Sequence, residues 1–221
     1  MRLRNDLIIL GDADDTEDRR LAMDAARQTL DLLHDRLNFR AGDAAAAPAP
    51  PAFRNALAPV IDAYLAAHSA LASDDLAAAQ SAATALADMW SAVPSDSPND
   101  SERNRWESLR AIGVTAIDAC KDAKDIEEYR KQFKDISDAL IEALRRFGMP
   151  DGIALHVTHC PMAFDNTGAD WLQRDTAVLN PYFGSAMLNC GESTGTLTPP
   201  AAQAPASSHE VHEHGEGTAH E

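Results

Sequence analysis

The most constraining feature of the chain is the apolar stripe Ile126, Tyr129, Phe133, Ile136, Leu140, Leu144 and Phe147. Its members are three or four residues apart throughout, which places them on one face of an α-helix and no other regular element. Asp125 stands where an N-cap belongs, and Gly148 followed by Pro150 stops the helix. A stripe of this length must be covered, and three upstream segments offer matching faces. One runs from about Arg54 to Ala72, with Leu57, Ile61, Tyr64, Leu65, His68 and Leu71 inward. The next starts at an Asp74 cap and ends near Ala92, with Leu76, Ala79, Ala83, Leu86 and Trp90 inward. The third spans Ser101 to Lys121, with Trp106, Leu109, Gly113, Ala116, Ile117 and Cys120 inward. Four such helices, joined by short turns and the polar loop VPSDSPNDS, predict an antiparallel four-helix bundle over residues 53–148. Strand formers are scarce before residue 150, so the expected class is all-α, with a small irregular lobe after the bundle.

The flanks have other characters. Residues 1–41 hold one helix-like stretch from Thr16 to about Asn38, and Leu7–Leu10 reads as a strand fragment. Residues 42–52, GDAAAAPAPPA, form a Pro/Ala linker that favours extended polyproline II. Residues 153–192 are punctuated by Gly, Pro, Asn and Asp, with one short strand expected over Ile153–Thr158. From Ser193 to Glu221 large apolar residues nearly vanish, and a disordered tail is expected.

Charge excludes one class of partner. The chain carries 35 acidic against 19 basic residues, a net −16, and would repel a phosphate backbone. No apolar run reaches bilayer length. The N-terminal apolar stretch is four residues, too short for a secretory signal, so no export signal is expected in this sequence. No nucleophile–base pair, phosphate loop or CxxC is visible, and an enzyme is not expected.

The chemistry concentrates in two short runs. His159-Cys160-Pro161-Met162 sets three potential donors within four residues, and Met187-Leu188-Asn189-Cys190 sets two sulfurs three apart. Thiolate and thioether are soft donors that favour Cu(I) over Zn, Mg or Ca. If the runs meet, His159, Cys160, Met162, Met187 and Cys190 form a metal site. Phe164, Trp171, Tyr182 and Phe183 are then its hydrophobic cover. Spacing equally allows a Cys160–Cys190 disulfide closing a loop of 29 residues, worth ~3 kcal/mol, with the methionines as core filler. The third cysteine, Cys120, lies on an apolar helix face and reads as an inert buried thiol. His209, His212, His214 and His220 in the acidic tail form a second, weaker set suited to divalent ions.

The stretch HCPMAFDNTGADWLQRDTAVLNPYFGSAMLNCGE resembles the C-terminal domain appended to CusB-type periplasmic adaptor subunits of RND heavy-metal efflux systems. That domain, of unknown function, also occurs alone. The helical segments FRNALAPVIDAYLAAHSALASDDLAAAQSAATAL and DALIEALRRFG resemble it too. The resemblance implies periplasmic handling of copper, silver or related ions, with the five Cys, Met and His residues as ligands. It also implies efflux adaptor or pump subunits as partners. The barrel-sandwich, lipoyl-like and hairpin regions of a full adaptor have no counterpart here, which implies a lone metal-binding module or an adaptor fragment.

Overall fold

The computed structural model describes residues 48–95 and 100–200. Residues 1–41, most of the Pro/Ala linker and the four tail histidines lie outside the described residues.

Five helices come first: α1 Pro51–Ala56, α2 Ala58–Ala72, α3 Leu76–Ala92, α4 Asp100–Lys121 and α5 Ile126–Phe147. The expected first helix is broken into α1 and α2 at Leu57. Pro59 has no N–H to give to the turn before it, and its ring crowds the carbonyl of Asn55. Pro51 occupies the first turn of α1, where a missing N–H is harmless. The end of the expected linker is therefore folded: Ala49 donates its N–H to the Phe147 carbonyl at 2.9 Å.

The cap of α3 is Asp75, whose carboxylate accepts from the Ala78 N–H at 2.9 Å, rather than the expected Asp74. Asp125 caps α5 in the same way at 2.8 Å. α5 ends at Gly148, as its sequence requires. Successive helices pack on one another, and the expected stripes face inward. Tyr64 of α2 stacks on Phe133 of α5 with ring centroids 4.9 Å apart. Phe53, Trp106 and Phe147 close one end of the bundle.

The lobe corrects the expected fold class. The chain is not all-α, because three antiparallel strands follow the helices in the order β2-β1-β3. They are β1 Leu155–Cys160, β2 Ala169–Gln173 and β3 Glu192–Leu197. β1 overlaps the one short strand expected over Ile153–Thr158. β2, ADWLQ, is buried at four of its five positions, so it has no alternation to read. β3, ESTGTL, is exposed along nearly its whole length and contains a glycine. Both owe their conformation to pairing with β1. The folded lobe thus extends past the point where a disordered tail was expected to begin.

The sheet shares one core with the bundle. β2 packs on α5, and a buried polar relay pins the contact. The Leu172 N–H donates to the Tyr64 hydroxyl at 3.1 Å, which shares a 2.8 Å hydrogen bond with Ser137 of α5. Burial pushes the Tyr64 hydroxyl far above its ordinary pKa, so it stays neutral and serves as a structural pin.

Candidate metal centre

β1 positions the first run. It pairs with β2 as Cys160↔Ala169, His159↔Asp170 and Thr158↔Trp171, and with β3 as His159↔Glu192. Against β3 the register shifts between Val157 and Thr158, with Thr194 of β3 as the extra residue, while the pairing of β1 with β2 runs unbroken. Within β1, Val157, Thr158 and Cys160 are buried while His156 and His159 are only partly so. Neighbours in a strand point to opposite faces, so His159 and Cys160 diverge although adjacent in sequence. His159 turns to Asp170, with Nδ1 2.7 Å from the carboxylate.

The connection from β1 to β2 carries Met162. After it, Phe164, Asp165 and Asn166 adopt φ of 51°, 57° and 64°, three successive left-handed residues without a glycine. Each such residue costs about 1–2 kcal/mol. Local bonds hold the turn: the Gly168 N–H donates to the Ala163 carbonyl at 3.0 Å, and the Thr167 hydroxyl to Phe164 O at 2.8 Å. The Phe164 ring packs edge-on against Tyr182 at 5.2 Å.

Cys190 arrives from the other side, and Asn180 places it. The Asn180 side chain donates from Nδ2 to the Cys190 carbonyl at 2.6 Å. Its Oδ1 accepts from the N–H groups of Tyr182 and Phe183 at 2.8 and 3.1 Å. The Cys190 N–H donates to Met187 O at 3.0 Å. Gly191 follows at φ 139°, where a Cβ would meet the Trp171 ring at 2.7 Å, so only glycine lets the strand pass this close.

Three of the five expected ligands are brought together. The Cys160 and Cys190 sulfurs lie 3.3 Å apart, and the Met162 sulfur is 3.8 Å from Cys190. Both cysteines are thiols in this structure. Cys160 is fully buried, Cys190 half-buried and Met162 exposed. His159 is carried away by the strand, and Met187 contributes its carbonyl to Cys190 rather than its thioether to the trio. Of the expected cover, Trp171 and Tyr182 are buried, with centroids 5.8 Å apart, while Phe164 and Phe183 are half-buried.

Proximity of Cys160 holds the Cys190 thiol above its ordinary pKa, through their hydrogen bond first and then desolvation and charge repulsion. A bound cation would remove that opposition, because it neutralises the thiolates it ligates. Cys120 is a separate case. It is buried in the bundle, its thiol is pushed up to about 12 by desolvation, and it stands apart from the trio. Among the described residues no three His, Cys, Asp or Glu side chains gather into a metal-holding group.

Sequence reading missed the residues that dock the lobe on the bundle. Arg130 is buried and donates to Pro181 O, Leu71 O, Asp74 and Glu127. Asp74 also accepts the Ser185 N–H at 2.9 Å, and these bonds lower its carboxyl to about 2. A signal existed. Arg130 stands among the inward positions of α5, three residues before Phe133, where an unpaired charge would be costly.

With the site built, comparison with known proteins adds one match. Residues 60–152 match a family described as "Protein of unknown function (DUF3347)". The DUF3347 match spans α2 to α5 and stops before β1, so it covers the scaffold and leaves out the sulfur trio. No curated protein and no solved structure matches the chain.

Proposed function

We propose that this chain binds a soft monovalent metal ion, Cu(I) foremost and Ag(I) by the same chemistry. Cys160 and Cys190 are the principal ligands and Met162 a weaker third. The observation that carries this reading is the convergence of the three sulfurs at 3.3 and 3.8 Å from two segments 28 residues or more apart in sequence. Two thiolates and a thioether make three sulfur donors, one of them a neutral thioether, short of the four Cys, His or carboxylate ligands of a structural zinc site and suited to the lower coordination of Cu(I). The acidic surface favours cations in its neighbourhood. Met187 and His159 leave the ligand set on this reading. The tail histidines, outside the described residues, would take divalent ions separately.

The resemblance of the lobe to the domain carried by CusB-type adaptors supports a place in heavy-metal efflux, at the periplasmic side, beside an adaptor or pump subunit. Among the described residues no helix is long and apolar enough to cross a membrane.

The closeness of the two thiols favours one further reading, a Cys160–Cys190 disulfide that clamps the lobe as a protein-interaction module with no metal of its own. Anaerobic titration of the reduced chain with Cu(I), followed by X-ray absorption, separates the two. Stoichiometric uptake with a sulfur shell is expected. No uptake, or a nitrogen and oxygen shell, would leave the clamp.

A further inference from the structure

We propose that the sulfur site holds its ion together with one external thiolate, in a ternary complex of chain, Cu(I) and a small thiol. This rests on the metal-binding reading above. Three observations lead to it. The first is a shortage of donors. Among the described residues no His, Asp or Glu completes a set with the two cysteines, and His159 is committed to Asp170. The second is a gradient of exposure across the trio. Cys160 is 0 % exposed, Cys190 is half-buried and Met162 is 47 % exposed. Protein therefore encloses the ion from the Cys160 side, and solvent reaches it from the Met162 side.

The third observation is that Met162 stays outside. It is one of two exposed large hydrophobic side chains among the described residues. In the left-handed turn that follows, the Phe164 ring packs against Tyr182 while the Met162 side chain stays in solvent. A neutral thioether in water is the weakest of the three donors, and an anionic thiolate of the same softness displaces it. The site is thus closed on two sides by cysteine and left with one exchangeable position.

The experiment uses the full chain, reduced and loaded with Cu(I) without oxygen, and 2-mercaptoethanol as the probe. Native mass spectrometry should show chain, one copper and one thiol together, and X-ray absorption should keep three sulfur neighbours while the weaker thioether contact gives way to a shorter thiolate one. Met162→Leu should raise the apparent affinity for the thiol several-fold, because the competing thioether is gone. Met162 is exposed, so this variant keeps the fold. The proposal is overturned if only the binary complex is seen, if the thiol strips the ion from the chain, or if Met162→Leu binds the thiol no better than the parent. If the parent takes up no Cu(I), no binary complex forms, and the metal-binding reading falls together with this one.

Discussion

Arg130, buried in α5, donates from Nε to the carbonyl of Pro181 at 2.9 Å and so fastens the lobe to the bundle. Pro181 follows Asn180, the residue that holds Cys190. The sulfur site is thereby tied to the bundle through two consecutive residues. Gly184 completes the joint. At φ 54° it packs where a Cβ would lie 2.0 Å from the Asp74 carboxylate and 2.4 Å from the Arg130 guanidinium.

Breaking this joint should be costly. Arg130→Met leaves the Pro181 carbonyl without the Arg130 donor, the Leu71 carbonyl with only the Asp74 N–H, and Asp74 without its cation, a loss of roughly 3 kcal/mol. Gly184→Ala should cost about 2 kcal/mol through strain and displacement of Asp74. The double variant should be less destabilised than the sum of the two, since both break one contact. Urea unfolding of the four proteins measures this; strict additivity would show that the two residues act independently.

Metal uptake should depend on sulfur in the order of contact. Cys160→Ser and Cys190→Ser each replace a soft donor with a hard hydroxyl and should weaken Cu(I) binding by orders of magnitude. Met162→Leu should weaken it about tenfold or less. Met187→Leu should leave it unchanged, because the backbone of Met187, not its thioether, serves the site. Competition against a Cu(I) chelator gives these affinities. Equal affinity in both Cys→Ser variants and the parent would remove the shared site.

Cys120 should matter to stability alone. Cys120→Ala removes a buried sulfur beside Tyr129 and should cost about 1–2 kcal/mol. Copper stoichiometry should not move; a drop would bring Cys120 into the site.

Acid should loosen the joint at His68. Its Nε2–H donates to Leu179 O at 2.8 Å, and burial lowers its pKa from 6.5 to about 4. The unfolded chain therefore takes up a proton that the folded chain refuses. The contribution is complete above pH 6.5 and is lost as pH falls toward 4, a loss of about 3 kcal/mol. Asp74, depressed to about 2, loses its contribution only at lower pH, between its ordinary value near 3.8 and 2. The urea midpoint of the parent should drop between pH 7 and pH 4.5 by more than that of His68→Gln. Equal drops would acquit His68.

The helices were legible in the sequence because each carries its own instruction. The stripe from Ile126 to Phe147, the Asp125 cap and the Gly148 stop all act within a few residues of chain, and the structure has them all. Cys160, Met162 and Cys190 were legible as chemistry for the same reason: softness belongs to the atom. Whether they met was not local. The strand conformation of β2 and β3 depends on hydrogen bonds to β1, and neither segment states it alone. The register of β1 on β2 set His159 opposite Asp170, and the strand's alternation left Cys160 on the other face, where it meets Cys190. Arg130, Asp74 and Asn180 gained their roles only from partners that lie about 50 or more residues away for the first two, and across a turn for the third. Short-range sterics and periodicity wrote the bundle into the sequence. Long-range pairing and the packing of the lobe on α5 decided which donors share a site.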